Sequence, residues 1–272
     1  MRHPLAIELI TALGQDPVEM VHLAADLGVP RIGLALNPVA VVPEDAKPWN
    51  LRTDAAHYRA VKAAIADRGV EVVLGEGFLI HPQMDMAASE ADFDLLAELG
   101  TRTVNCVGLE PDVARCHDQF AMFARLAAAR GMAATIEFMP FVAIDSLAKA
   151  VDCANACDGG TGSVLFDSMH VFRTGTSLSD IAALDPAMIG HVQLCDARSS
   201  WPDGDYMTNA KFERLVPGEG DLPLRDFLRA LPDGLVIGLE VPEREKALSG
   251  VDYRIRISDL LTASRIFTTD LL

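Results

Sequence analysis

Four oxygen-bearing side chains recur at equivalent points of four aliphatic segments. Glu137 lies in Thr135-Ile136-Glu137-Phe138, Asp167 closes Val164-Leu165-Phe166-Asp167, Gln193 lies in His191-Val192-Gln193-Leu194, and Glu240 lies in Ile237-Gly238-Leu239-Glu240-Val241. If each segment is a strand, residues two apart share a face. Ile136, Val164, Phe166, Val192, Leu194, Ile237 and Leu239 then point one way, and Glu137, Asp167, Gln193 and Glu240 the other. Three carboxylates brought together at neutral pH repel one another, so they need protons or a cation. An all-oxygen donor set predicts one divalent cation, Mn²⁺ or Mg²⁺, with Co²⁺ also compatible. Structural Zn²⁺ would ask for Cys or His.

Such convergence requires a scaffold that ends consecutive strands at one place. Strand-like runs occur near Ala6–Ile10, Arg31–Ala35, Glu71–Gly75, Thr103–Val107, Ala134–Phe138, Ser163–Asp167, Gly190–Cys195 and Val236–Val241. Helical patterns alternate with them at Pro17–Leu27, Ala55–Arg68, Asp92–Leu99, Gln119–Arg130, Ser146–Cys157 and Leu224–Leu231, and a last one runs near Asp252–Phe267. Eight β–α alternations over 272 residues are the arithmetic of an α/β fold, a single (β/α)8 TIM barrel spanning residues 1–272. A doubly wound sheet is the alternative, but Thr11-Ala12-Leu13-Gly14-Gln15-Asp16-Pro17 after the first strand is no G-x-G-x-x-G turn. Two long connections, Asn37–Thr53 with Trp49 and Asp196–Asp221 with Trp201 and Tyr206, follow strands and therefore overlie the C-terminal mouth as lid candidates.

Composition narrows the function. Lys and Arg number 23 against 39 Asp and Glu, a net charge of −16, which disfavours nucleic acid as a partner. No stretch approaches the roughly 20 apolar residues of a membrane span, and 50% hydrophobic residues exclude a disordered chain. Five cysteines without a C-x-x-C pair, and a start at Met1-Arg2-His3-Pro4-Leu5 without an apolar leader, predict a reduced, cytoplasmic setting. Cys153 and Cys157, four apart on a helical pattern, read as packing residues.

The set Ile136-Glu137-Phe138-Met139-Pro140, Asp167-Ser168-Met169-His170, His191-Val192-Gln193-Leu194-Cys195-Asp196 and Leu239-Glu240-Val241-Pro242 resembles the xylose isomerase-like TIM-barrel superfamily. Ala24-Ala25-Asp26-Leu27-Gly28 and Pro217-Gly218-Glu219-Gly220 extend the resemblance over essentially the whole chain. That group includes sugar phosphate isomerases and epimerases, inosose dehydratases, 3-dehydroshikimate dehydratases and a type of apurinic-site nuclease. The resemblance implies metal ligation by Glu137, Asp167, Gln193 and Glu240. Most epimerases of the group have histidine as third ligand; Gln193 looks like the dehydroshikimate dehydratase branch, whereas Phe138-Met139-Pro140-Phe141-Val142 lacks that branch's polar and basic residues. The nucleases need further histidines where this chain has Gly75-Glu76-Gly77 and Asn105-Cys106-Val107, so a nuclease is disfavoured.

By the same resemblance, the substrate is a small sugar, sugar phosphate or cyclic keto-polyol. Glu137 and Glu240 form an acid/base pair that moves a proton through an enediolate. A dehydratase would instead expel a β-hydroxyl from that enediolate, with His170 as the acid or as a substrate donor. Arg173 and Arg214 are the expected anchors for a phosphate or carboxylate. His191, Glu76 and Glu8 are further candidates for substrate contact, and His191 is alternatively a support that orients Gln193. Three readings remain open: isomerase or epimerase, dehydratase, and a non-catalytic sugar-binding barrel. Family members often pair through their helices, so a homo-oligomer is compatible.

Overall fold

The aliphatic runs become eight short parallel strands in a computed structural model that describes residues 3–41, 48–200 and 205–269. They are β1 (Leu5–Ile7), β2 (Arg31–Leu34), β3 (Glu71–Ile80), β4 (Thr103–Gly108), β5 (Ala133–Glu137), β6 (Gly162–Asp167), β7 (Ile189–Leu194) and β8 (Ile237–Leu239). They pair in chain order and β8 returns to β1, which closes the barrel. The helices are α1 (Pro17–Asp26), α2 (Ala55–Arg68), α3 (Glu90–Glu98), α4 (Val113–Ala128), α5 (Leu147–Asn155), α6 (Ser168–Arg173), α7 (Leu178–Ala182), α8 (Tyr206–Phe212), α9 (Leu224–Ala230), α10 (Arg244–Leu248) and α11 (Tyr253–Thr269). Ile136, Val164, Phe166, Val192, Leu194, Ile237 and Leu239 are all buried. Beside β3, Phe78, Phe93 and Phe123 pack with ring centroids 5.0–5.2 Å apart, joining the strand to α3 and α4.

Acidic caps start several helices. The Asp54 carboxylate accepts from the N–H groups of Ala56 and His57 (3.1 and 2.9 Å), and that of Asp112 from Ala114 and Arg115 (3.0 and 3.2 Å). The Asp112 cap explains why α4 begins at Val113, six residues ahead of the boundary expected from its apolar periodicity. The largest departures of strand boundaries from expectation are at β1 and β3. β1 stops at Ile7, because Leu9–Ala12 coil into a 3₁₀ turn closed by Leu13 at φ 49°. β3 continues to Ile80 through an irregularity between Gly75 and Phe78, where Gly77 adopts φ 94°. The Asp196–Asp221 connection, expected as a loop, contains α8.

Register sets the heights of the functional side chains. Asp167 pairs with Gln193, Gln193 with Gly238, and Val107 with Glu137. Inter-strand bonds then pin the strand ends. The Ser168 hydroxyl donates to the Cys195 carbonyl (2.8 Å) and accepts from its N–H (2.9 Å). Thr11 does the same at β8, donating to the Leu239 carbonyl (2.7 Å) and accepting from the Val241 N–H (2.8 Å). All five cysteines are buried and none forms a disulfide. No helix among the described residues is long and apolar enough to cross a membrane.

Candidate metal centre and active site

The C-terminal ends of β5 to β8 bring Glu137, Asp167, Gln193 and Glu240 inside the barrel mouth, all buried. Glu137 and Glu240 line one cavity of about 230 Å³ together with Glu76, Asn105, His170 and Arg214. Glu137, Asp167 and His170 offer ligand atoms within 4.8 Å of one another, a group able to hold a metal ion.

Each carboxylate is held by identifiable partners. Asp167 caps α6, its Oδ1 accepting from the N–H groups of Met169 and His170 (2.7 and 3.2 Å). Its Oδ2 accepts from Arg214 Nη1. That same Nη1 stands 2.9 Å from Glu240 Oε2 in an ionic contact that is not aligned as a hydrogen bond. Glu137 Oε2 accepts from Asn105 Nδ2 (2.9 Å), and Thr135 Oγ1 donates to Asn105 Oδ1 (2.9 Å), which fixes that amide. His170 Nε2 lies 3.3 Å from Glu137 Oε1, while its Nδ1 is 2.6 Å from the Tyr206 hydroxyl. Burial, reinforced by Asp167, raises the Tyr206 phenol far above its ordinary range, so the hydroxyl stays neutral and its bond to Nδ1 holds the imidazole with Nε2 toward Glu137.

The electrostatics are unbalanced in a telling way. Burial alone would raise Asp167, but Arg214 and His170 outweigh it and hold that carboxyl well below its usual range. Glu240 moves the other way: burial lifts it well above the carboxylate range against the opposing Arg214 charge. Glu76 is raised by burial and by the neighbouring charges of Glu8 and Glu137. Its residue is only half-buried, yet its Oε2 has no contact with solvent. One guanidinium thus faces a group of carboxylates that stay charged together only with more positive charge among them.

A divalent cation fits this deficit. The Gln193 amide donates from Nε2 to Glu76 Oε1 (2.9 Å), which turns its Oε1 away as a buried acceptor without a hydrogen-bond partner. An orphaned amide oxygen among buried carboxylates is what an oxygen-seeking cation would satisfy. Glu137, Asp167 and His170 are grouped closely enough to hold it, and the orphaned Gln193 Oε1 and the buried Glu240 carboxylate are the further oxygen donors that would join them.

Other expected site residues are placed differently. Arg214 reaches the cavity because the backbone of Leu215 bridges to Asp196 with two 2.8 Å bonds. Asp196 secures that turn, its carboxylate accepting from the N–H groups of Ala197, Gly218 and Leu222 (2.8, 3.0 and 3.1 Å). Arg173, expected as a second anchor, is carried to the far end of α6 and is not in the cavity lining. It donates instead to the Ser199 and Arg198 carbonyls (2.7 and 2.5 Å), tying down the β7 connection. His191 is not in the cavity lining, and its Nε2 is bonded to Glu8 Oε1 (2.7 Å) lower in the barrel. Gly33 and Gly238 make room there: a Cβ at either would fall 2.1 or 1.6 Å from the Glu8 carboxylate. Both lid connections contribute to the cavity, through Val39 and through Met207, Ala210, Lys211 and Arg214. Residues 42–47 and Trp201 lie outside the described residues. Asn105 and Tyr206 were not among the expected site residues; the inward parity of Asn105 in β4 was the available signal for one, while Tyr206 acts across a tertiary contact.

The model of the xylose isomerase-like TIM barrel matches residues 21–257 of the chain. Among solved structures, the IolI protein with a bound zinc atom aligns at TM-score 0.79 and 15% identity, covering 99% of both chains. A xylose isomerase-like TIM barrel/4-hydroxyphenylpyruvate dioxygenase fusion protein aligns at TM-score 0.73 and 20% identity, over 92% of this chain and 42% of that one. D-psicose 3-epimerase from Clostridium cellulolyticum H10, solved with D-tagatose, aligns at TM-score 0.69 and 16% identity, over 97% and 98% of the two chains. No curated protein matches the sequence. With its barrel closed in the same manner and its sequence matched over most of its length, the chain belongs to the xylose isomerase-like TIM-barrel family.

Proposed function

We propose that the protein is a divalent-metal-dependent isomerase or epimerase acting on an α-hydroxy ketone of the keto-sugar or cyclic keto-polyol type. The observation that carries this reading is that two buried glutamates, Glu137 on β5 and Glu240 at the end of β8, line one cavity beside a donor set that calls for a cation. They stand three strands apart around the ring, so each approaches a substrate in that cavity from a different side. When bound, a divalent cation would polarise the substrate carbonyl and acidify the neighbouring C–H. Glu137, steadied by Asn105, accepts the proton. Glu240, on the other side of the cavity, returns a proton elsewhere on the enediolate. His170 holds a substrate hydroxyl through Nε2, and Arg214 supplies positive charge at the same oxygens. Glycolytic-type phosphates are not required by this scheme; Mn²⁺ or Mg²⁺ suits the oxygen donors best.

Dehydration is the second reading, favoured by Gln193 as a donor and by His170, whose imidazole is oriented from behind by Tyr206. Proton NMR of keto-sugars and inososes in deuterated buffer with Mn²⁺-loaded protein separates the two. The isomerase reading expects solvent deuterium at the carbon beside the carbonyl, with the rate cut by about 10²-fold or more in Glu137→Gln and in Glu240→Gln. Loss of water to give a product absorbing in the ultraviolet would replace it with the dehydratase reading. A full rate in both variants would overturn either.

A further inference from the structure

The cavity has two unlike halves. Glu137, His170, Arg214 and Glu240 line the side built by β5 to β8 and its connections, whereas the side built by β2 to β5 is walled by Val39, Leu79, Val107, Leu109 and Met139, with Met207 of α8 also in the lining. Register makes this a surface and not a scatter: Leu79 pairs with Val107 and Val107 with Glu137, so an aliphatic row runs level with the first carboxylate. Leu109 and Met139 continue it two residues higher toward the mouth. The polar side chains lower on this same half do not serve it, because Asn105 reaches to Glu137 and Glu76 to Gln193.

Apolar groups are left facing the open cavity. Val39 is 40% and Leu79 44% exposed, and Phe141, two residues after Met139, is 76% exposed. Phe141 holds φ 68°, a conformation that non-glycine residues rarely adopt, with its ring 5.5 Å from that of Tyr206. Of the six large hydrophobic residues exposed among the described ones, two line this cavity and a third, Phe141, packs on Tyr206 beside His170. A bare polyol laid along such a wall would bury hydroxyls without partners, at a cost. A phosphate there would meet no cation of the described lining on that half, since Arg214 and Lys211 both come from the β7 connection and Arg214 is engaged with Asp167 and Glu240.

We infer that the substrate is an unphosphorylated α-hydroxy ketone carrying an aliphatic or aryl substituent, its oxygens on the β5–β8 half and its substituent along the Leu79–Val107–Leu109 wall. This rests on the proton-transfer chemistry of the proposed function and replaces its keto-sugar and keto-polyol substrates by a less hydroxylated α-hydroxy ketone. The test is a calorimetric comparison of hydroxyacetone, 2-hydroxyacetophenone and dihydroxyacetone phosphate binding to Mn²⁺-loaded protein. The aryl compound is expected to bind about tenfold tighter or more than either of the others. Leu79→Ser, at a position 44% exposed, should reduce that advantage several-fold. Hydroxyacetone binding as tightly as the aryl compound, an advantage that survives Leu79→Ser undiminished, or the phosphate binding tightest would overturn the inference and leave the isomerase reading in place. Failure of all three probes to bind the metal-loaded protein would overturn the inference, while solvent-deuterium exchange into keto-sugars tests the isomerase reading separately.

Discussion

Gln193 illustrates how a neutral side chain can be committed to a cation. An amide presents a donor and an acceptor of equal size, and only its neighbours decide which faces the site. Here Glu76 takes the Nε2 protons and leaves Oε1 for the donor set. Replacing Glu76 by Gln permits the opposite orientation, so Glu76→Gln should weaken Mn²⁺ binding by about tenfold, in line with other residues that orient ligands. Unchanged affinity in a titration would show that Gln193 needs no such support. Below it, the Glu8–His191 pair depends on two missing side chains. Gly238→Ala would place a Cβ on the Glu8 carboxylate and expel it, leaving His191 buried without its partner. A loss of more than about 2 kcal/mol is expected in urea unfolding; a loss below about 0.5 kcal/mol would mean the pair is dispensable.

At the scale of elements, positioning is shared between caps, strand-end bonds and interhelical ion pairs. Asp112→Ala removes the α4 cap and should cost about 1 kcal/mol in denaturant unfolding while leaving Mn²⁺ affinity unchanged, because α4 carries no site residue. Asp26 links α1 to α2 through Arg68 (2.5 Å) and to α11 through Arg254 (2.7 Å). The bonds from Arg68 and then Arg254 lower its carboxyl from the ordinary 3.8 to about 2. A depressed carboxylate stabilises the fold above its unfolded value and loses that contribution as pH falls through the folded one. The difference in urea midpoint between the wild type and Asp26→Asn should therefore be present at about pH 6 and smaller at about pH 3. A difference that grows on acidification would contradict this linkage.

Across the whole molecule, what the sequence disclosed and what it concealed divide along a physical line. The eight strands and the inward set Glu137, Asp167, Gln193 and Glu240 were legible because alternation is a local property, and closing the barrel only rotates each strand into line with the next. Partnerships were not legible where they join distant segments. His191 meets Glu8 across 183 positions, and Gln193 meets Glu76 across 117. The span Gly75-Glu76-Gly77 looks like the end of a strand, yet pairing with β4 carries β3 past it to Ile80. Arg173 shares a motif with His170, but the turn of α6 between them takes it away from the mouth. The one claim that all these contacts serve is that four strand ends build a cation site. Calorimetric titration of Mn²⁺ into chelator-stripped protein, repeated with Gln193→Ala and Glu240→Ala, tests it most directly. One site of micromolar or tighter affinity is expected in the wild type, weakened in both variants; a wild type that binds no Mn²⁺, or variants that bind it equally well, would contradict it.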